Sequence, residues 1–383
     1  MSDSAIVTPA SGVSVLDETQ RKERIPELDG LRGIAILLVL VWHYLPGILA
    51  DAPPVLLHLT NTFIRFAWSG VDLFFVLSGF LLGGILLDNR ESRHYFKTFY
   101  ARRFYRIAPV YYVMVGVYIL LQHANRPDRL AWLFDQPMPL WSYLTFTQNF
   151  AMAQAGYFGA QWLGVTWSLA VEEQFYLVLP FIVRFIPSRR LGLALVLLAV
   201  GAPVTRLALF FTHAQWGTAG YVLMPARADA LMLGVLAAVA IRRADIRALA
   251  VRKRSALYRV FGLLSLAGVT MALMHETVGS TNMVLYGYSV IALFHTAVLV
   301  LAVTAGKGEL LGRVLRWAWL RKIGTVAYGV YLVHLPVVGL ASLLVSAPAP
   351  VYVLAFGLTF ILAWLSWEYF EKPLVRRGHR YQY

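Results

Sequence analysis

Two histidines lie within long apolar stretches of this sequence and are the first candidates for chemistry. Arg32 opens one stretch and His43 follows eleven residues later, about 16 Å away along a helix. His334 follows Tyr328 and Tyr331 in another stretch. Ionisable groups at membrane depth are costly and usually line a cavity, which favours a functional role for His43. The alternative for His43 is a neutral imidazole that is hydrogen-bonded to a neighbouring helix. For His334 a functional role and a hydrogen bond to a nearby tyrosine are equally open.

Three carboxylates also lie in apolar surroundings. Asp72 could orient a histidine or bind an acceptor hydroxyl, or it could pair with Arg227. Glu172 and Glu173 are adjacent and would point to helix faces about 100° apart, so at most one is expected at a site. We choose Glu172. The candidates for catalysis are therefore His43, Glu172, Asp72 and His334.

A cluster of arginines follows the second apolar stretch. Arg103 and Arg106 share one face if their segment is helical, and Arg102 lies beside them. Guanidinium groups suit phosphates, including the pyrophosphate and 3′-phosphate of coenzyme A. The alternative is an anchor that pairs with lipid head groups. A metal ion is not expected, because the sequence lacks a His-Glu-x-x-His pattern and its deep histidines lie in different stretches.

These residues must be positioned by membrane-spanning helices. Hydrophobic residues make up 59% of the 383-residue chain and charged residues only 14%. Apolar stretches near 20 residues can cross a hydrocarbon core of about 30 Å as helices. The sequence thus predicts an all-α, polytopic integral membrane protein with about ten transmembrane helices, near 32–50, 67–87, 108–123, 167–186, 191–211, 221–241, 260–276, 283–305, 325–346 and 351–370.

The basic residues predict the orientation. All but five of the 34 Lys and Arg residues fall in one set of alternate loops with their flanking helix ends, and such an excess marks the cytoplasmic side. We therefore expect both termini in the cytoplasm, with a tail over 1–24, a transmembrane domain over 25–371 and a second tail over 372–383. The net charge of +14 fits this distribution beside membrane lipids, and nucleic-acid binding is not expected.

Five segments, in this order, resemble those of the acyltransferase family 3 proteins of bacterial membranes. They cover most of the chain, and their order makes the resemblance specific, although Ala327 replaces the serine that many relatives show. The segments are Arg32 to His43 after Glu27-Leu28-Asp29-Gly30-Leu31, Gly70 to Phe80, Arg103 to Arg106, Trp167 to Tyr176, and Tyr331 to His334.

The resemblance implies an enzyme of the bacterial inner membrane. Its relatives move acyl groups, commonly acetyl, from cytoplasmic acyl-CoA to extracytoplasmic hydroxyl-bearing acceptors such as cell-surface glycans. Our hypothesis is that Arg103 and Arg106, with Arg32, hold the CoA phosphates. His43 would act as general base on the acceptor hydroxyl or accept the acyl group itself. Glu172 or Asp72 would hold the productive tautomer of the imidazole.

Two further expectations concern the reaction partner and the competing function. Some relatives carry an additional C-terminal esterase-like domain, which is not seen after Lys372-Pro373. We expect the chain to act alone or to pass the acyl group to a separate extracytoplasmic transferase. The competing hypothesis is a transporter or flippase of a glycan or acylated substrate, for which two related halves would be typical. The sequence shows no such symmetry.

Overall fold

The computed structural model describes residues 25–124, 127–306 and 308–383, apart from the side chains at 57–59. The predicted tail over 1–24 lies outside these ranges. The first half of the chain forms α1 (Pro26–Ile48), α2 (Pro54–Ala67), α3 (Gly70–Asp88), α4 (Tyr95–Gln122), α5 (Leu140–Leu144), α6 (Gln148–Ala155), α7 (Gln161–Gly164), α8 (Trp167–Phe185) and α9 (Ser188–Thr212).

The second half continues the same helical pattern. Its helices are α10 (Trp216–Val222), α11 (Ala228–Arg242), α12 (Ala244–Arg252), α13 (Arg254–Leu273), α14 (Tyr288–Val303), α15 (Leu310–Leu315), α16 (Ala318–Leu344), α17 (Pro348–Ser366) and α18 (Lys372–Gly378). Short 3₁₀ turns cover Asp128–Leu133 and Pro225–Arg227, and π turns cover Met283–Gly287 and Trp367–Glu371. The described residues contain no strand, which confirms the all-α class.

The long helices confirm a polytopic membrane protein. Eight helices within the described ranges are long and apolar enough to cross a membrane, or nine if Trp216–Val222 and Pro225–Arg242, bent by 72°, count as one span. The remaining predicted span is the 19-residue α8, where Glu172, Glu173 and Arg184 interrupt the apolar composition. Each predicted stretch coincides with a helix, although the bend was not foreseen. The cytoplasmic location of the termini stays a prediction.

Glycines allow the central helices to approach backbone to backbone. A Cβ added to Gly79 of α3 would lie 2.0 Å from the carbonyl oxygen of Leu231 in α11, and one on Gly234 would lie 2.2 Å from that of Val76. Helices α1 and α16 meet in the same way at Gly324. Small residues at such contacts are typical of membrane bundles, because packing rather than hydrophobic burial holds the helices together.

The outer face of the bundle is apolar. Helix α9 leaves a stripe of large hydrophobic side chains exposed, spaced three and four residues apart as on one helix face. Such a stripe suits contact with lipid. Its members are Leu193, Leu197, Val200, Val204, Leu207 and Phe211.

Candidate active site

A cavity of about 740 Å³ runs through the centre of the bundle. It is bounded by α1, α3, α4, α8, α11, α16 and α18, and reaches from Asp88 and Arg242 at one end to Val71 and Ser168 at the other. Asp88 and Val71 lie at opposite ends of α3, about 26 Å apart along the helix. The cavity therefore extends through most of a hydrocarbon core of about 30 Å. Its volume lies within the usual range for ligand pockets, roughly 300–1,000 Å³.

All three arginines predicted to bind phosphate line this cavity. Arg32 comes from α1, and Arg103 and Arg106 come from α4. The Arg106 guanidinium lies 3.9 Å from the Glu371 carboxylate and 5.2 Å from the ring centroid of Trp367. Arg32 and Arg103 have no hydrogen bond or ion pair to any residue that the structure describes. Their N–H groups are thus available to an anionic ligand.

Glu172 lies on the cavity wall, as the sequence predicted for one of the two adjacent acids. The Ser78 hydroxyl donates to its carboxylate at 2.5 Å, and the Tyr176 hydroxyl donates to Ser78 at 3.1 Å. Glu173 does not line the cavity. Ser78 and Tyr176 were not among the site residues predicted from the sequence, where their signal is a hydroxyl inside an apolar span.

His43 and His334 come together just beyond the inner end of the cavity. Their ring centroids are 4.8 Å apart, although they lie on α1 and α16. His334 is fully buried and His43 is partly buried. The Tyr44 hydroxyl donates to the His334 carbonyl oxygen at 2.6 Å and contacts the Thr359 hydroxyl at 2.8 Å, which ties α1, α16 and α17 together at this level.

Backbone carbonyl groups fix the tautomer of both imidazoles. Nδ1 of His43 lies 2.9 Å from the carbonyl oxygen of Val39, and Nδ1 of His334 lies 2.7 Å from that of Tyr331. A carbonyl oxygen can only accept, so each Nδ1 carries the proton and each Nε2 of a neutral ring is the basic atom. Nε2 of His334 has no partner within the described residues. At Nδ1 of His43 the structure thus shows a backbone carbonyl where the sequence analysis expected the carboxylate of Glu172 or Asp72.

Tyr331 connects the cavity to the histidine pair. Its side chain lines the cavity, its ring centroid lies 5.9 Å from that of His334, and its hydroxyl contacts the Ser168 hydroxyl at 2.5 Å. A ligand that extends along the cavity to Ser168 and Tyr331 would therefore end one side chain away from the two imidazoles.

Asp72 belongs to a separate buried charge network rather than to the cavity. Its carboxylate accepts a hydrogen bond from Arg227, whose guanidinium lies 4.0 Å from the ring centroid of Tyr288. Nearby, Arg206 donates to Asp229 at 3.0 Å. Both arginine side chains are fully buried. The structure therefore shows the pairing with Arg227 that was the alternative for Asp72, as expected where each buried charge needs a partner of opposite sign, and the catalytic role of Asp72 stays a prediction.

A second, smaller cavity of about 360 Å³ lies at the other end of α16. Arg129 reaches into it and donates from Nη1 to the Ser342 carbonyl oxygen at 3.0 Å and to the Ser346 hydroxyl at 3.1 Å. Trp132 and Tyr352 contribute aromatic surface. In α16, His334 lies between Tyr331 on the first cavity and Val338 on the second.

No group of three or more His, Asp or Glu residues that could hold a metal ion occurs in the described part of the chain. The polar groups of the cavity wall include the three arginines and Glu172 with Ser78 and Tyr176, and two imidazoles lie beyond Tyr331. This is an arrangement for binding an extended anion and for moving a proton or an acyl group at its far end.

Comparison with known sequences identifies the family. A sequence profile described as an acyltransferase domain matches residues 25–368. The chain belongs to this acyltransferase family. The match includes the cavity arginines of α1 and α4, Glu172 and both histidines. The family assignment made from the five sequence segments is thereby confirmed.

Individual members of the family are recognisably similar along nearly the whole chain. YrhL of Bacillus subtilis strain 168, provisionally named a peptidoglycan O-acetyltransferase, is 29% identical over 95% of this chain and 57% of its own length. The peptidoglycan O-acetyltransferase OatA of Listeria monocytogenes is 27% identical over 93% of this chain and 57% of its own length. The chain thus spans little more than half of these relatives. No solved structure matches it.

Proposed function

We propose that this protein is a membrane O-acetyltransferase. It transfers an acyl group, with acetyl as the expected group, from acyl-CoA to a hydroxyl of a cell-surface glycan. The observation that carries the proposal is the cation-lined cavity that leads to the pair His43 and His334. The names of the relatives as peptidoglycan O-acetyltransferases support the acceptor class.

In this proposal the donor enters from the end of the cavity that carries Asp88 and Arg242. Arg32, Arg103 and Arg106 bind its phosphates, since guanidinium groups form strong charge-assisted hydrogen bonds to phosphate oxygens. The thioester then extends along the apolar interior towards Ser168 and Tyr331. The basic residues that predict a cytoplasmic surface lie at this same end, where acyl-CoA is available.

The histidine pair then performs the transfer. Nε2 of His43 either removes the proton from the acceptor hydroxyl as that oxygen attacks the acyl carbon, or attacks the acyl carbon itself. In both routes the C–S bond breaks, CoA leaves as the thiolate and the acyl group ends on the acceptor oxygen. Base assistance of this kind is typically worth about 10²–10⁴ in rate. His334 accepts or returns the proton through its own unprotonated Nε2.

The acceptor approaches from the smaller cavity. Aromatic rings beside hydrogen-bonding groups suit a sugar, and Trp132, Tyr352, Arg129 and Ser346 supply both kinds of contact. The two substrates would then meet at the histidines from opposite ends of α16. The acyl group passes directly to this acceptor or to a separate extracytoplasmic transferase that completes the reaction.

The test is acyl transfer from radiolabelled acetyl-CoA by purified protein in liposomes. We expect His43→Ala to lose at least about 100-fold in rate, the lower end of what a general base contributes. Arg103→Ala should raise the donor concentration needed for half-maximal rate. His123→Ala, at an exposed position after α4, is the matched control and should keep full activity.

Full transferase activity in a folded His43→Ala protein would contradict the role of the histidine. If the wild type neither turns over acetyl-CoA nor binds CoA, the transferase proposal fails and transport of a glycan or acylated substrate becomes the better hypothesis. Trapped label on the wild-type protein that is absent from His43→Ala would identify the route through an acyl-histidine.

A further inference from the structure

The C-terminal segment 372–383, predicted as a tail, is fastened to α4. The Thr98 hydroxyl donates to the Gln382 carbonyl oxygen at 2.7 Å. Arg102 donates to the Tyr381 carbonyl oxygen from Nε at 3.0 Å and from Nη2 at 2.8 Å. Its guanidinium also lies 5.0 Å from the ring centroid of Tyr383. The segment is therefore part of the folded bundle, and the guanidinium of Arg102 holds it in place.

This attachment turns one face of α18 towards the donor cavity. The segment lines the cavity with Lys372, Val375, Arg376 and His379, which follow the three-and-four spacing of a single helix face. The neighbouring Arg377 is also exposed but does not line the cavity. Arg377 is therefore a suitable control position for Arg376.

The mouth of the cavity carries more positive charge than its carboxylates neutralise. Arg242 is satisfied by Asp88 at 2.8 and 2.7 Å, and Lys372 pairs with Glu368 at 2.5 Å. Arg376, in contrast, makes no hydrogen bond or ion pair with the described residues. Burial and then the guanidinium groups of Arg102, Arg103 and Arg106 lower the pKa of His379, an independent sign of the positive potential at this end.

We propose that Arg376 and Arg103 form a binding site for a phosphate monoester at the cavity mouth, and that this site recognises the 3′-phosphate of the CoA nucleotide. The inference rests on the proposed donor and assigns one of its groups to a specific place. A thioester and a nucleotide occupy opposite ends of the donor. If the thioester reaches Ser168, the nucleotide must lie at the far end of the cavity, where α18 supplies the unpaired cation.

The experiment compares CoA with 3′-dephospho-CoA by isothermal titration of the full-length protein in neutral detergent. For the wild type we expect 3′-dephospho-CoA to bind at least about tenfold more weakly, the effect of losing charge-assisted hydrogen bonds. Arg376→Ala should lose a similar factor for CoA and nothing for 3′-dephospho-CoA. Arg377→Ala should match the wild type with both ligands.

Each alternative outcome has a distinct meaning. An Arg376→Ala protein that discriminates between the two ligands as the wild type does would overturn the subsite while leaving the donor proposal intact. The same result is expected if Arg376 binds a lipid phosphate, since neutral detergent supplies none. A wild type that binds neither ligand would overturn the donor and the subsite together. Unchanged binding of 3′-dephospho-CoA reports that the variant is folded.

Discussion

At the scale of single residues, the difference between Asp72 and Glu172 shows what decides a role. Both are carboxylates in apolar spans, and both were predicted as catalytic residues from the sequence. Glu172 lines the cavity and accepts a hydrogen bond from Ser78, whereas Asp72 accepts one from Arg227. The pairing of Asp72 with Arg227 was one of the alternatives for Asp72, and sequence alone does not decide between them because Arg227 is 155 residues further along the chain.

Asp72→Asn should destabilise the protein without removing a catalytic group. Replacing one member of a buried pair leaves an uncompensated charge, which costs about 3–5 kcal/mol. We expect a lower melting temperature in detergent, with activity per folded molecule close to that of the wild type. The double variant Asp72→Asn/Arg227→Gln should recover part of the lost stability. A stable Asp72→Asn protein without transferase activity would restore the catalytic assignment.

The histidines illustrate how far sequence reasoning reaches at this scale. Each was recognisable on its own, because an imidazole in an apolar span is unusual. Their contact was not, since the 4.8 Å between the rings depends on how α1 packs against α16. The fixed tautomers were equally out of reach, because the acceptors are carbonyl groups of Val39 and Tyr331, and every residue has a carbonyl group.

At the scale of helices, the close approach of α3 and α11 makes Gly79 a sensitive position. Gly79→Ala places a methyl group 2.0 Å from the Leu231 carbonyl oxygen, so the two helices must separate. Overpacking costs about 1–3 kcal/mol, and we expect the melting temperature in detergent to fall. Gly201→Ala in α9 is the control, because nothing lies within 4 Å of its added Cβ. Equal melting temperatures for the two variants would contradict the packing described here.

Hydropathy predicted the long helices well and the short ones poorly. An apolar run of about 20 residues has few structural interpretations, so the spans could be placed from composition. The bend between α10 and α11 and the helix α18 left no comparable signal, because each depends on a few residues. The consequence for the site is that the cavity wall formed by Lys372, Arg376 and His379 lies in the segment predicted as a tail.

At the scale of the whole molecule, the predicted orientation can be tested directly, because the chain contains no cysteine. Arg377→Cys lies in α18, at the end of the bundle where the cavity opens beside Arg376. Ala347→Cys lies at the start of α17, at the opposite end of the bundle. A membrane-impermeant maleimide should label Ala347→Cys in intact cells and Arg377→Cys only after permeabilisation. The reverse pattern would place the donor arginines outside the cell and contradict the proposed use of cytoplasmic acyl-CoA.

The two cavities have an electrical consequence. Along α16, Tyr331 on the first cavity and Val338 on the second are about 10 Å apart. If water fills both, most of the membrane voltage falls across this thin layer instead of across about 30 Å of hydrocarbon. In the proposed mechanism, a proton that leaves the acceptor hydroxyl for His43 would move inside that focused field, where a full crossing is worth about 2.3 kcal/mol per 100 mV. Proton movement at the histidines would therefore respond to voltage, whereas the neutral acetyl group would cross the same layer without electrical work.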